Sequence, residues 1–503
     1  MTQPQQVAHQ LQKQLEHLLQ QHGSALPALD DLLGSGRALE AGPPGIVIAD
    51  FADISDSDYR WGLAIAELLR AALADLPGRA LTQPAMSWEQ LDFDCWHAGY
   101  QREQRLRDFA QLQRLGQRYG LRQGLLGEVA VDGDWLTVNL TALDLISRQE
   151  LQRHSFTVSD PEQLSAALAQ TIAWLAALLA QPLSELEQER LAATLPAAAL
   201  MDFAALISAL YADRFEEAQT LAESLHGSGL IAAEVHYYRL HEIGQRPQQI
   251  DQHYHWIEQH CGNHIELLSA CADQHEAHDS EAMQQAIANR LHQLLRQQPD
   301  HAALARLCFI QSYRAGEIAA SVRLVLAYVQ TYPGHYLGWQ WCAELLHELG
   351  WEYRGGEYWQ QIEEDDQIVF AGLLDLAIQA ADIALQQHPD SPWAINERMR
   401  LENGCTQTLW DLFNRGSQLA PHYEILYENA LNFCMPRWGG NPSLQFEIIA
   451  RAIDANPGQR WPYQLFNEFL LSDSHYPMTQ RLRFLFHRWF SPGWPRCMLE
   501  DGE

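Results

Sequence analysis

Leu125-Leu126-Gly127-Glu128-Val129-Ala130-Val131, then Asp132-Gly133-Asp134, then Trp135-Leu136-Thr137-Val138-Asn139-Leu140-Thr141-Ala142-Leu143 is the stretch that decides the fold of the first half. Apolar and polar residues alternate on both sides of an Asp-Gly turn, the pattern of two antiparallel strands with one buried face. Upstream, Ile46-Val47-Ile48-Ala49-Asp50-Phe51 is a short apolar run between Gly-Pro and a Ser/Asp loop, which predicts a buried strand. Trp61, Ile65, Leu68, Leu69, Ala72 and Leu73 recur at helical spacing over 59–76, and 103–118 reads as a charged amphipathic helix. Downstream, a strand around 150–157 precedes an uncharged helix over 162–180. Strand, helix, helix, three antiparallel strands and a final helix make an α/β sandwich of about 140 residues, a usual domain size.

These elements resemble the TolB amino-terminal-like domain of bacteria over residues 46–180. The resemblance rests on Ile46 to Phe51 with the Ser55-Asp56 loop, on Trp61-Gly62-Leu63-Ala64 with Glu67-Leu68-Leu69, and on Tyr119-Gly120-Leu121-Arg122-Gln123-Gly124-Leu125-Leu126-Gly127-Glu128-Val129. Asp132-Gly133-Asp134, Leu136-Thr137-Val138, Leu143-Asp144 and the final helix complete it. The resemblance implies an interaction module without catalysis, of the kind joined to tetratricopeptide repeats in cytoplasmic or membrane-tethered regulators. No winged-helix or cyclase domain precedes it, so neither DNA binding nor a signalling enzyme is carried over. Tyr427, Ala430 and Met435-Pro436-Arg437-Trp438-Gly439-Gly440 resemble, more locally, an uncharacterised bacterial domain with a Pro-Arg-Trp-Gly-Gly signature.

The second half has a period. Pro299, Pro333, Pro389, Pro421 and Pro457 close helical segments at spacings of 34, 56, 32 and 36 residues. Thirty-four is the tetratricopeptide period, and the longest gap is one period with about 22 residues inserted. Gly316 separates 302–314 from 317–332, Gly350 is expected to end a helix begun near Trp339, and 210–218 reads as a turn and the start of a second helix. Four segments are therefore predicted. They are an N-terminal helical segment (1–44, with a helix over 4–21), a TolB-like α/β domain (45–182), degenerate tetratricopeptide-like repeats (183–471, with a loop insert at 351–366) and an aromatic, basic capping segment (472–503). The fold class expected is an α/β domain followed by an all-α helical-repeat superhelix.

The chain has 503 residues, 33 of them basic and 64 acidic, for a net charge of −31. That sign repels phosphate backbones and anionic membranes, so no nucleic-acid partner is expected. Eight scattered cysteines without a Cys-x-x-Cys pair, after a polar start with no apolar signal core, predict reduced thiols and a cytoplasmic location. The uncharged gap between Glu162 and Glu185 is alanine-rich, carries Gln170, Thr171 and Gln181, and reads as a helix buried on a sheet rather than a membrane span.

No nucleophile elbow, phosphate loop, dinucleotide fingerprint or His-Glu-x-x-His motif occurs in the sequence, so no catalytic residue and no cofactor is expected. The densest ligand cluster is His260, Cys261, His264, Cys271, His275 and His278, near His253 and His255. Cys271, His275 and His278 fall on one helical face and suit zinc, whereas chance clustering among 22 histidines is the plainer reading. Asp50, Asp53, Asp56 and Asp58 follow the first strand; helix capping by Asp56 or Asp58 is expected over a cation site. The Glu363–Asp366 run reads as solvated carboxylates. Arg and aromatic residues interleave over 481–496 and are expected to dock on the last repeat. The function expected is a non-enzymatic bacterial scaffold or regulator that holds a protein or peptide of basic character on a repeat surface. Tyr336, Trp339, Trp393, Tyr423, Arg437 and Trp438 are the binding residues proposed from sequence. The rival readings are a metal-binding protein or enzyme centred on 253–278, and an envelope-associated assembly factor.

Overall fold

A computed structural model describes residues 3–21, 45–55, 59–74, 76, 109–119, 121–240 except 213, 249–265, 267–268, 271, 281–297, 304–309, 318–355, 361–435 except 403, 442–466 except 460, and 469. The protein is mostly helical, with one small mixed sheet towards the N-terminus. It divides into two compact units, residues 1–145 with 149–387, and residues 146–148 with 388–503.

In the first unit, strands β1 (Ile46–Ile48), β2 (Ala52–Asp53), β3 (Gln123–Asp132), β4 (Trp135–Asp144) and β5 (Glu150–Val158) form one sheet. Its order is β1-β3-β4-β5, with β2 also on β3. β1 and β2 run parallel to β3, while β3, β4 and β5 are antiparallel neighbours. The predicted hairpin is present: Asp132 pairs with Trp135 across a two-residue turn in which Gly133 has φ +59°. Leu136, Val138, Leu140 and Ala142 point to one face and are buried under helices α2 (Trp61–Ala74) and α4 (Pro161–Leu178). Helix α3 (Phe109–Tyr119) covers the other face near β1 through Leu112 and Leu115, against Val47, Ala49, Leu143 and Leu145.

Helix α2 begins where two close contacts allow it. A Cβ on Gly62 would overlap the carbonyl of Phe51, and one on Gly127 would overlap the Phe51 ring. The two glycines thus bring strand and helix onto Phe51. Asp53 accepts a 2.8 Å bond from the Gly62 backbone and so caps α2, the role expected of Asp56 or Asp58, which lie outside the described residues. The strand run places Asp53 at the helix mouth because the chain pairs again as β2 after Phe51. Asp50 and Arg70 form a buried pair at 3.3 Å, and the same guanidinium donates to the Ile48 carbonyl at 3.1 Å.

The helices that follow are α5 (Glu185–Ala193), α6 (Ala197–Tyr211), α7 (Phe215–Leu225) and α8 (Ile231–Leu240). One hydrophobic core joins them to the sheet, running from Ile46 to Ala233. His236 on α8 meets Glu67 on α2 at 2.5 Å, and the Arg60 backbone donates to Ser208 on α6 at 2.7 Å. Further on lie α9 (Ile250–His260), α10 (Glu281–Gln297), α11 (Ile318–Thr331), α12 (Tyr336–Arg354) and α13 (Glu364–Gln387). Helix α1 (Gln3–Gln21) packs on α11 and α13: Gln330 donates to Gln12 at 2.5 Å, Arg323 pairs with Glu16 at 3.2 Å, and Leu18 closes on Gly372.

One expectation for this region is corrected. The helix begun near Trp339 runs through Gly350 to Arg354 and ends at Gly355, where φ is +63°. Gly350 is instead a contact point, since a Cβ there would press on Phe370 of α13. The two ends of the 351–366 insert are helical, while 356–360 lie outside the described residues. They lengthen the helices, to 19 residues in α12 and 24 in α13. The run Glu364-Asp365-Asp366 forms the first turn of α13, where carboxylates favour the helix dipole. Among the described helices α13 alone has the length and hydropathy of a membrane span, by composition; its Phe370, Leu373 and Ala377 are buried. The 162–185 gap falls on α4, which packs against β5, α2 and α6.

The second unit contains α14 (Pro392–Arg400), α15 (Gln407–Leu419), α16 (Glu424–Phe433), α17 (Pro442–Ala455) and α18 (Trp461–Phe466). Each helix packs on the next, and α16 also touches α14 and α18. Residues 146–148 belong to this unit. Arg148, at φ +58°, donates to the His422 carbonyl at 3.3 Å, pairs with Glu424 at 3.2 Å and lies over the Trp461 ring. The segment 472–503 lies outside the described residues.

Candidate interaction surface

Two of the proline turns, at Pro333 and Pro421, share one chemistry, whereas the Pro389 carbonyl accepts from Arg415. Trp339 lies six residues after Pro333, and its Nε1 donates to the Pro333 carbonyl at 2.9 Å. Tyr427 lies six residues after Pro421, and its hydroxyl donates to the Pro421 carbonyl at 3.2 Å. Each carbonyl takes a second bond from a side chain just ahead of the next turn proline. Gln387, two residues before Pro389, reaches Pro333 at 2.7 Å, and Asn456, immediately before Pro457, reaches Pro421 at 2.9 Å. A proline-turn carbonyl has no helical partner, so two donors satisfy it without water. Asn456 also accepts from His422 at 2.7 Å, and Asn429 of α16 donates to Asn396 of α14 at 3.0 Å.

This chemistry relocates the aromatic residues proposed as contacts. Trp339 and Tyr423 are 0% exposed and Trp393 is 3% exposed, so none presents area to a partner. Their rings belong to the packed interior, where large aromatic side chains bury most surface. Tyr336 is half-buried, and burial pushes its hydroxyl up to about 12, opposed by the nearby Arg122. Arg437 and Trp438 lie outside the described residues. Of the proposed contacts among the described residues, Tyr336 alone is more than slightly exposed.

The histidine–cysteine cluster is divided as well. His260 closes α9 with its Nδ1 on the Trp256 carbonyl at 2.8 Å and its ring stacked on Trp256. Cys261 and Cys271 are buried beside Tyr238, whose hydroxyl is raised well above its ordinary value, first by burial and then by Cys261. His264 is half-buried, and His275 and His278 lie outside the described residues. Among the described residues no three His, Cys, Asp or Glu side chains come together in a metal-binding arrangement. Periodicity placed the ligands on one helical face, whereas packing turns both described cysteines into the core.

Two exposed apolar side chains lie on helices α5 and α7. Leu186 on α5 is 57% exposed and Phe215 at the start of α7 is 55% exposed. Their own helices carry the exposed carboxylates Glu185, Glu189, Glu216, Glu217 and Glu223, with Arg190 and Arg214 beside them, and Arg214 pairs with Glu217 at 2.8 Å. Large exposed apolar groups within a charged surround are a feature of contact surfaces. The sequence carried a signal for one of them. Leu186 interrupts Ser184-Glu185-Leu186-Glu187 and lies away from the buried Leu191, whereas Phe215 shares the helical face of the buried Ala218, Ala222 and Leu225 and stands exposed at its N-terminal end.

No protein-family model matches the chain, and no curated protein matches it.

Proposed function

We propose that this protein is a non-enzymatic bacterial scaffold or regulator. A TolB-like α/β module is followed by tetratricopeptide-like hairpins, and the outer helices hold a basic protein or peptide segment. The observation that carries the reading is the recurring two-donor bracket on the turn carbonyls of Pro333 and Pro421. The same device at the same position in two hairpins is what repeated units stacked on their neighbours require. Contacts between α14, α16 and α18, which skip one helix each time, support the same arrangement. Stacked hairpins fill their interior with their own aromatics, so recognition falls to side chains on the outer faces. Leu186 and Phe215, on carboxylate-bearing helices of a chain of charge −31, suit an amphipathic partner with basic residues. Charge supplies the steering and the two apolar side chains supply anchors.

The test is affinity purification of the full chain from its native host, followed by mass spectrometry. A stoichiometric basic partner is expected. Its recovery should fall at least tenfold for a variant carrying Glu185→Lys, Glu189→Lys, Glu216→Lys and Glu217→Lys, with circular dichroism unchanged. Failure to recover any stoichiometric partner counts against the scaffold reading.

A further inference from the structure

Cys405 and Cys434 are separated by 29 residues in the chain, yet their sulfurs lie 3.3 Å apart in the second unit. Cys405 sits in the turn between α14 and α15, flanked by Gly404 at φ +118° and by Thr406, which caps α15 by accepting from the Leu409 backbone at 3.0 Å. Cys434 closes α16. Both are thiols, and among the described cysteines Cys405 alone is half-buried; Cys261, Cys271, Cys308, Cys342 and Cys434 are buried. A disulfide needs sulfurs about 2.05 Å apart, so a closure of about 1.2 Å joins them, within the reach of side-chain rotation beside a flexible glycine turn.

We propose that Cys405 and Cys434 are a reversible redox pair that a hydroperoxide converts to a disulfide. The Cys405 thiolate attacks the peroxide: a sulfur–oxygen bond forms, the oxygen–oxygen bond breaks, and the peroxide leaves as alcohol or water with Cys405 as a sulfenic acid. The Cys434 thiol then attacks that sulfur. The sulfur–sulfur bond forms, the sulfur–oxygen bond breaks, and hydroxyl leaves as water with the Cys434 proton. Two electrons pass from the thiols to the peroxide, and a dithiol reductant returns them by exchange. The half-buried sulfur meets the oxidant and the buried one resolves it, the division of labour found where one thiol reaches solvent and its neighbour does not. The bond closes a loop holding α15 and α16, so the oxidised unit resists unfolding more than the reduced one. This inference is independent of what the outer helices bind.

The test treats the reduced full-length protein with a small excess of hydrogen peroxide, alkylates it under native conditions and after unfolding, and maps the peptides. The expected product is a Cys405–Cys434 linked peptide, 2 Da lighter than its parts. Alkylation of Cys434 after unfolding should drop at least tenfold while that of Cys308 and Cys342 does not change, and the melting temperature should rise by several degrees, reversed by dithiothreitol. In Cys434→Ser the sulfenic acid on Cys405 should persist and be trapped by dimedone; in Cys405→Ser, Cys434 should stay reduced. Overoxidation of wild-type Cys405 to the sulfinic acid with Cys434 still free, or linkage of either cysteine to another partner, overturns the proposal.

Discussion

The junction around Phe51 and the proline turns of the helical region solve the same problem by opposite means. Both must bring backbone segments into close contact away from water. At Phe51 the contact is made once, by removing side chains: Gly62 and Gly127 leave no Cβ between strand, helix and ring. At the turns it is made repeatedly, by adding side chains that donate to a proline carbonyl. A one-off contact by deletion tolerates no added atom, whereas a bracket of two donors retains one when the other is lost. The first should fail sharply on substitution and the second gradually.

The largest expected effect is at the Phe51 junction. Gly127→Val places two methyl groups and a Cβ where the Phe51 ring lies, and should cost about 3 kcal/mol by overpacking. Denaturant unfolding of the first unit measures it. The same substitution made with Phe51→Leu should cost less than the sum of the two single changes, because they share one space. Additive costs would place the strain elsewhere.

Arg70→Met comes next. It leaves the Asp50 carboxylate buried without this guanidinium, and because the carboxyl can take up a proton the cost should be about 2 kcal/mol. Pairing with Asp50→Asn should recover part of the loss, and equilibrium unfolding of the double variant checks this.

The turns should lose less. Asn456→Ala removes one donor from the Pro421 carbonyl and the acceptor of His422 but leaves Tyr427, so a loss of about 1.5 kcal/mol is expected. Adding Tyr427→Phe strands the carbonyl and should cost more than the two single losses added together. A strictly additive pair would show that the bracket is not shared.

The smallest effect at neutral pH belongs to His292 on α10. Burial, together with the nearby Arg296, pushes its pKa down to about 4 from an ordinary 6.5. A depressed folded value means that the unfolded chain binds the proton more readily between those two values. Stability is therefore full above about pH 6.5 and declines as pH falls towards 4. Thermal melts across this range should show a shallower slope for His292→Gln than for the parent.

The two regions also differ in how far the sequence exposes them. The hairpin at 132–135 and the helices over 61–74 and 161–178 follow from alternation and helical spacing, because each side chain there faces one core. The extent of α12 does not follow. Gly350 carries the local sign of a helix end, yet the requirement that sets it is contact with Phe370 on another helix. The burial of Trp339, Trp393 and Tyr423 is hidden for a related reason. A tryptophan after a turn reads equally as anchor or core until the carbonyl that accepts its Nε1 is in view. The Cys405–Cys434 approach has no local pattern at all, since it depends on how the α14–α15 turn folds against the end of α16. Leu186 breaks the pattern of an acidic helix, whereas the exposure of Phe215, on the same face as the buried Ala218 and Ala222, has no local sign.

The protein has a single lysine, Lys13, which makes zero-length crosslinking between carboxylates and amines unusually direct. With a bound partner, nearly every such crosslink must join a carboxylate of this chain to a lysine of the other. The scaffold account predicts crosslinks from partner lysines to Glu185, Glu189, Glu216 or Glu217, lost when Phe215→Asp is introduced. A stoichiometric partner that crosslinks only to other carboxylates, or crosslinks unchanged by Phe215→Asp, would contradict it.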